Sequence, residues 1–182
     1  MNISPKDFTE NSWQSIINAK DSALRKKHQS LETEHLFYSL LKSNEIAKKI
    51  IERCGVSTER IISQIEAFIK VQPMMQKSPE SIYFGKSITS TISKAFEIKN
   101  NFNDKFLSSE HLVISLFDDE RICNKLFKGN SINKNSLLST IKEIRGNQKV
   151  TDKNSDENYE ALSKYGRDLT SDAKEGKLDP VI

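Results

Sequence analysis

Two short runs in this chain place hydrogen-bonding and titratable side chains in the same order: Thr33-Glu34-His35-Leu36 and Ser109-Glu110-His111-Leu112. A hydroxyl, a carboxylate and an imidazole in succession raise three chemistries. The hydroxyl of Thr33 or Ser109, set before an apolar helical run, can accept the orphan N–H groups of a first helical turn. Glu34 and Glu110 then meet the positive end of a helix dipole, a gain of about 0.3–1 kcal/mol that accounts for both residues structurally. Lining a groove instead, the same two carboxylates would attract a basic or guanidinium-bearing group. Metal ligation is the third chemistry, but the chain has only 3 His. His28 lies in the basic run Arg25-Lys26-Lys27-His28 with no matching partner, so His35 and His111 are expected to hydrogen-bond across a junction, with no metal. Nucleophilic catalysis has no support, because neither Cys54 nor Cys123 has a histidine nearby in sequence.

The two runs recur because the chain contains itself twice. Moved forward by 76 positions without a gap, residues 8–68 fall on residues 84–144. Phe8 meets Phe84, Ile16 meets Ile92, Ala19 meets Ala95, Leu31 meets Leu107 and Leu40 meets Leu116, and pairs such as Val56 and Ile132 exchange one aliphatic residue for another. Apolar positions repeating in phase mean that two copies of one unit bury the same face. Two copies are few for a solenoid, so they are expected to close on each other as one all-α, pseudo-twofold bundle of two four-helix repeats.

Helical periodicity supplies the four elements of each copy. A first helix is expected over roughly 5–26, entered through Ser4-Pro5. A second begins at Thr33, and a third carries Ile46, Ile50 and Ile51 and stops at Gly55. A fourth is capped by Ser57 and carries Ile61, Ile62, Ile65 and Ile69. Residues 72–81, with Pro73 and Pro79, read as the connection, after which the order repeats up to Gly146. No alternating strand pattern of convincing length is present. From Gly146 to Asn158 the chain is polar, which predicts an exposed, flexible linker at 146–158. Beyond it Tyr159, Leu162, Tyr165, Leu169 and Ala173 return at helical spacing.

Charged residues are 29% of the chain and hydrophobic ones 36%. The net charge of +3 interleaves 28 bases with 25 acids, which argues against a nucleic-acid partner. No apolar run approaches the roughly 18 residues a membrane span needs, and the N-terminus lacks the apolar stretch of a secretion signal. Cys54 and Cys123 read as reduced core thiols, so a cytoplasmic location is expected.

The tail Tyr159-Glu160-Ala161-Leu162-Ser163-Lys164-Tyr165-Gly166-Arg167-Asp168-Leu169-Thr170, with Gly176-Lys177-Leu178-Asp179-Pro180-Val181-Ile182, resembles the entry to the first ATPase module of Clp-family AAA+ proteins. The doubled segment is similar to the Clp N-terminal domain. The run Gln148-Lys149-Val150-Thr151-Asp152 looks like the linker of the ClpB-type, protein-disaggregating branch; the alternative is a ClpC-like branch whose N-terminal domain docks adaptors and substrates for a protease. The resemblance implies residues 1–145 as the domain, 146–158 as linker and 159–182 as the start of the ATPase module.

It further implies a domain that recruits unfolded or aggregated polypeptide for a homohexameric, stress-induced ATPase working with the DnaK chaperone system, the fragment itself being monomeric. Helix-start positions of this kind hold client peptides in the family, which points to Thr33, Glu34, Ser109, Glu110 and His111. Among Ile92, Phe96, Ile98 and Phe102, Ile98 leaves the stripe of Ile88, Ile92, Ala95 and Lys99 and is the best placed to face outward as the apolar contact. ATP and Mg would belong to the longer parent. No GxxxxGK[ST] loop occurs in this sequence, so no nucleotide binding, cofactor or catalysis is expected of the stretch itself.

Overall fold

The computed structural model describes residues 1–159. The expected helix over 159–175 lies outside the described residues except for Tyr159. A short 3-10 turn, Pro5–Asp7, leads into α1 (Glu10–Arg25), α2 (Thr33–Ser43), α3 (Glu45–Arg53) and α4 (Thr58–Lys70). The second copy supplies α5 (Lys86–Asn101), α6 (Ser109–Phe117), α7 (Cys123–Gly129) and α8 (Lys134–Arg145). Shifted by 76 residues, α1 lands on α5 from its first residue to its last.

Even the backbone exceptions repeat. Lys27 and Asn103, 76 residues apart, both adopt left-handed φ values, 61° and 58°, just past the long helices. Gly55 and Ser131 do the same after the third helices, at 86° and 61°. A left-handed residue is how a helix closes its last carbonyls, so the chain reverses at the same places whatever the side chain.

The first helix begins later than its apolar pattern suggests. Thr9, not Ser4-Pro5, caps α1 through its hydroxyl, and Phe8 lies in extended backbone. Phe8 bridges Leu107 in parallel, while β1 (Ser30–Leu31) pairs in parallel with β2 (Tyr83–Phe84). These are one contact made twice, since the shift turns Leu31 against Phe84 into Leu107 against Phe8. Each half thus lends an extended residue to the other, in ladders too short to leave an alternating pattern.

The apolar interior is shared. Leu36, Leu40, Ile46 and Ile50 belong to one buried cluster with Ile92, Leu112, Leu116 and Ile141. Phe37 of α2 stacks on Phe127 of α7 with centroids 5.0 Å apart, and Phe8 meets Phe96 of α5 edge-on at 5.5 Å, so ring pairs join the halves. Cys123 is buried and Cys54 half-buried, both as free thiols; burial and the nearby Asp119 push the Cys123 thiol well up.

The segment after α8 departs from the expected tether. Val150, Ser155, Asp156 and Tyr159 are buried. The Lys105 amide donates to the Val150 carbonyl at 2.7 Å and the Glu10 amide to the Lys153 carbonyl at 2.9 Å. Asp156 accepts from Thr9 and Ser109, and Lys149 Nζ donates to the Phe102 carbonyl, so a few of its polar side chains close on the bundle. Thr151, Asp152, Asn154, Glu157 and Asn158 stay exposed, and composition cannot tell the two sets apart.

Candidate functional site: two helix starts at the seam

The starts of α2 and α6 sit where the halves meet, and neither is capped as expected. Glu32 and Ser108, one residue earlier, are the N-caps. Their backbone N–H groups donate to Nδ1 of His35 at 3.0 Å and of His111 at 2.9 Å. An imidazole that accepts at Nδ1 carries its hydrogen on Nε2. His35 Nε2 accordingly faces His28 Nδ1 at 2.7 Å, and His111 Nε2 faces Asp104 Oδ2 at 2.7 Å. Both histidines therefore bond within their own half rather than across the junction, and His28 has a counterpart after all, in Asp104.

The hydroxyls released from capping reach further. Thr33 Oγ1 donates to Asp119 Oδ2 at 2.9 Å, and Ser109 Oγ to Asp156 Oδ2 at 2.7 Å. The two glutamates already hold guanidinium groups of this chain. Arg121 grips Glu34 with two bonds, Nε to Oε2 at 2.9 Å and Nη2 to Oε1 at 3.0 Å. Arg145 Nη1 lies 3.3 Å from Glu110 Oε1 as an ion pair without the alignment of a hydrogen bond, so neither Glu110 oxygen accepts one. Burial pushes the Glu110 carboxyl up. Asp104 goes the other way. Burial alone would raise it, but hydrogen bonds from His111, Arg145 and the Val150 N–H prevail and hold it well below the usual carboxylate range.

Asp104, Glu110 and His111 bring ligand atoms within 4.8 Å of one another. The arrangement does not fit a cation. Arg145 donates to both Asp104 oxygens at 2.7 and 2.8 Å, and each His111 nitrogen is engaged. A guanidinium already fills the place of the ion.

Thr33, Glu34, Ser109, Glu110 and His111 are all buried, and Ile98 is half-buried against the core. The structure sets the first five at the starts of α2 and α6, while Ile98 lies on α5 and packs against the core. What is exposed is a different set. Apart from Met1, the large hydrophobic side chains exposed among the described residues are Val71, Met74, Met75 and Tyr83, at 77%, 68%, 40% and 57%. They lie along the connection between the halves, which the Met75 amide anchors to the Lys27 carbonyl at 2.8 Å. Met74, Met75 and Tyr83 rim a cleft of about 350 Å³, in which Glu34, Arg121, His28 and His35 also take part. Two adjacent methionines in a segment with no helix to bury them were the sequence signal for this cleft. Arg121, Asp104 and Arg145 gave none, because their partners lie far along the chain.

Residues 7–130 match the Clp repeat (R) N-terminal domain family. The chain belongs to that family. It is 49% identical over its full 182 residues to chaperone protein ClpB of Prochlorococcus marinus, of which it covers 21%. It is also 40% identical over 181 residues to the chloroplastic chaperone protein ClpB3 of Arabidopsis thaliana, covering 19%. The chain thus spans about a fifth of the length of the curated relatives it matches. In structure it is similar to the Hsp104 N-terminal domain of Candida albicans, with a TM-score of 0.75 and 20% identity over 82% of this chain and 99% of that one. The N-terminal domain of ClpD from Arabidopsis thaliana follows the same fold, with a TM-score of 0.57 and 18% identity over 75% and 96% of the two chains. Among the described residues no helix is long and apolar enough to cross a membrane.

Proposed function

We propose that this domain recruits unfolded or aggregated polypeptide to the ring of an ATP-dependent, ClpB-like disaggregase, holding an apolar client side chain in the cleft rimmed by Met74, Met75 and Tyr83. One observation carries the reading: exposed large apolar side chains cluster at one cleft, with the Glu34–Arg121 pair beside them. Thioether side chains are flexible and polarisable, so they adapt to clients of unrelated sequence. Binding at such a shallow site is weak, and six copies on one hexamer would multiply it through effective concentration.

In this reading the longer parent supplies ATP and Mg chemistry, assembles as a homohexamer in the cytoplasm and acts with the DnaK system after heat stress. The similarity to ClpB chaperones runs through the segment after the bundle, which favours a disaggregase over a protease-linked, ClpC-like partner. The solved complex of a ClpV N-domain with a VipB peptide, of the same fold at 14% identity, supports peptide holding as a use of this architecture.

The test is Met74→Ser with Met75→Ser, measured by anisotropy of a labelled, permanently unfolded protein. We expect affinity to fall by about tenfold, the equivalent of about 1.4 kcal/mol, with thermal stability unchanged. Unchanged affinity would remove the cleft from the account.

A further inference from the structure

The two helix starts are closed by the same chemistry from different sources. At α2, Asp119 stands in the turn between α6 and α7. Its Oδ2 accepts from Thr33 Oγ1 and from the amides of Ile122 and Cys123, and its Oδ1 from the Arg121 amide. That seat is sealed by residues fixed at both ends in the bundle. At α6 the carboxylate is Asp156, carried by the segment that leaves the domain. Its Oδ2 accepts from Thr9 Oγ1 at 2.8 Å, Ser109 Oγ at 2.7 Å and the Ser109 amide at 3.3 Å.

The second closure is less complete. Of the five buried side-chain polar atoms without a hydrogen bond among the described residues, four lie here: both Glu110 oxygens, Asp156 Oδ1 and the Tyr159 hydroxyl. A buried polar atom without a hydrogen bond weakens the packing around it. Three acidic side chains, Asp104, Glu110 and Asp156, also meet at this seam, where Arg145 pairs with the first two and Asp156 with Thr9 and Ser109. The docked segment is therefore held less tightly than its contacts suggest, and its tether to α8 is short.

We infer that the start of α6 is a binding seat for a helical turn carrying a carboxylate and, three residues on, an aromatic ring, and that residues 150–159 are its resident, exchangeable occupant. Asp156 supplies the carboxylate to Thr9 and Ser109. Tyr159 supplies the ring, under the Arg145 guanidinium at 5.5 Å. The Val150 amide on Asp104 Oδ1 completes the hold. A tethered occupant has an effective concentration on the order of millimolar, so an external segment of the same chemistry binds only when the resident turn is released. Release would also free the domain from whatever follows Tyr159. The seat is separate from the Met74–Met75 cleft, so this inference stands or falls apart from the client reading.

The test uses the 182-residue chain, a double variant Asp156→Ala with Tyr159→Ala, and a labelled peptide of residues 148–161. In the unsubstituted chain, the amides of Glu10 and Lys105, bonded to the segment, should exchange with deuterium at least about tenfold faster than that of Leu40 in the core. The peptide should bind the double variant at least about tenfold more tightly than the unsubstituted chain, and the same peptide with Asp156→Ala should not bind. Glu10 and Lys105 exchanging only with the slowest core amides would make the segment a permanent part of the fold and overturn the inference; this holds even where the double variant fails to fold. Equal peptide binding to both chains, or none to a folded double variant, would also overturn it.

Discussion

Asp104 stands in the second half where His28 stands in the first, and each closes at 2.7 Å on the histidine seven residues later. The same geometry therefore joins two uncharged imidazoles in the first half and an imidazole to a carboxylate in the second. Desolvation comes first in the first half, with His28 and Arg121 adding to it, and it drives the His35 imidazole down to about 3. Burial also lowers His28.

An acid-labile first half follows. The unfolded chain takes up a proton near 6.5 at His35 while the folded chain resists until about 3, so stability is lost as pH falls through that window. Between pH 7 and pH 5 His35 alone removes about 2 kcal/mol. Urea titrations followed through Trp13, which packs on Phe8 at 5.2 Å, would read this directly. A His28→Asn, His35→Gln variant should lose most of the slope; an unchanged slope would show that the pair does not carry it.

Glu110 and Asp104 give opposite pH signatures. Glu110 has its carboxyl pushed up by burial, so its contribution is present at low pH and lost as pH rises through the raised value. Glu110→Gln should match or exceed the parent's stability at pH 8 and fall behind under acid conditions. Asp104, held down, contributes above the ordinary carboxylate range and loses that contribution only in stronger acid. Asp104→Ala leaves Arg145 without its bidentate partner and should cost about 3–5 kcal/mol at pH 7. Chemical denaturation of the two variants at both pH values separates them.

Gly85 is the N-cap of α5, and a Cβ there would overlap the Glu32 carboxylate, which caps this helix from the other half through the Ser87 amide at 3.2 Å and the Ser87 hydroxyl. Gly85→Ala should displace that carboxylate and cost about 1 kcal/mol, the value of a cap. Glu32→Ala, which also removes the capping side chain of α2, should cost more, and the double variant little more than Glu32→Ala alone. Additive costs in denaturant melts would contradict the shared contact.

The helices were legible because their apolar positions repeat after 76 residues, and burial in a common core enforces that phase. Phe8 reads as the first residue of the helical stripe, yet its backbone bridges Leu107, a pairing with no local signature. The caps were misplaced by one residue because the returning N3 side chain is His35 or His111 rather than the usual Glu or Gln. The linker's polarity suggested solvent, but Asp156 finds its donors at Thr9 and Ser109, far away in sequence. Burial of Glu34 and Glu110 escaped notice for the same reason, since Arg121 and Arg145 reach them only in three dimensions.

A chemical-shift titration of the 182-residue chain with a permanently unfolded protein tests client recruitment most directly. The account predicts concentration-dependent shifts at Gln72, Met74, Met75 and Tyr83, extending to Glu34 and Arg121, with the α3 and α8 amides undisturbed. Shifts confined to surfaces away from this cleft, or none at saturating unfolded protein, would contradict it.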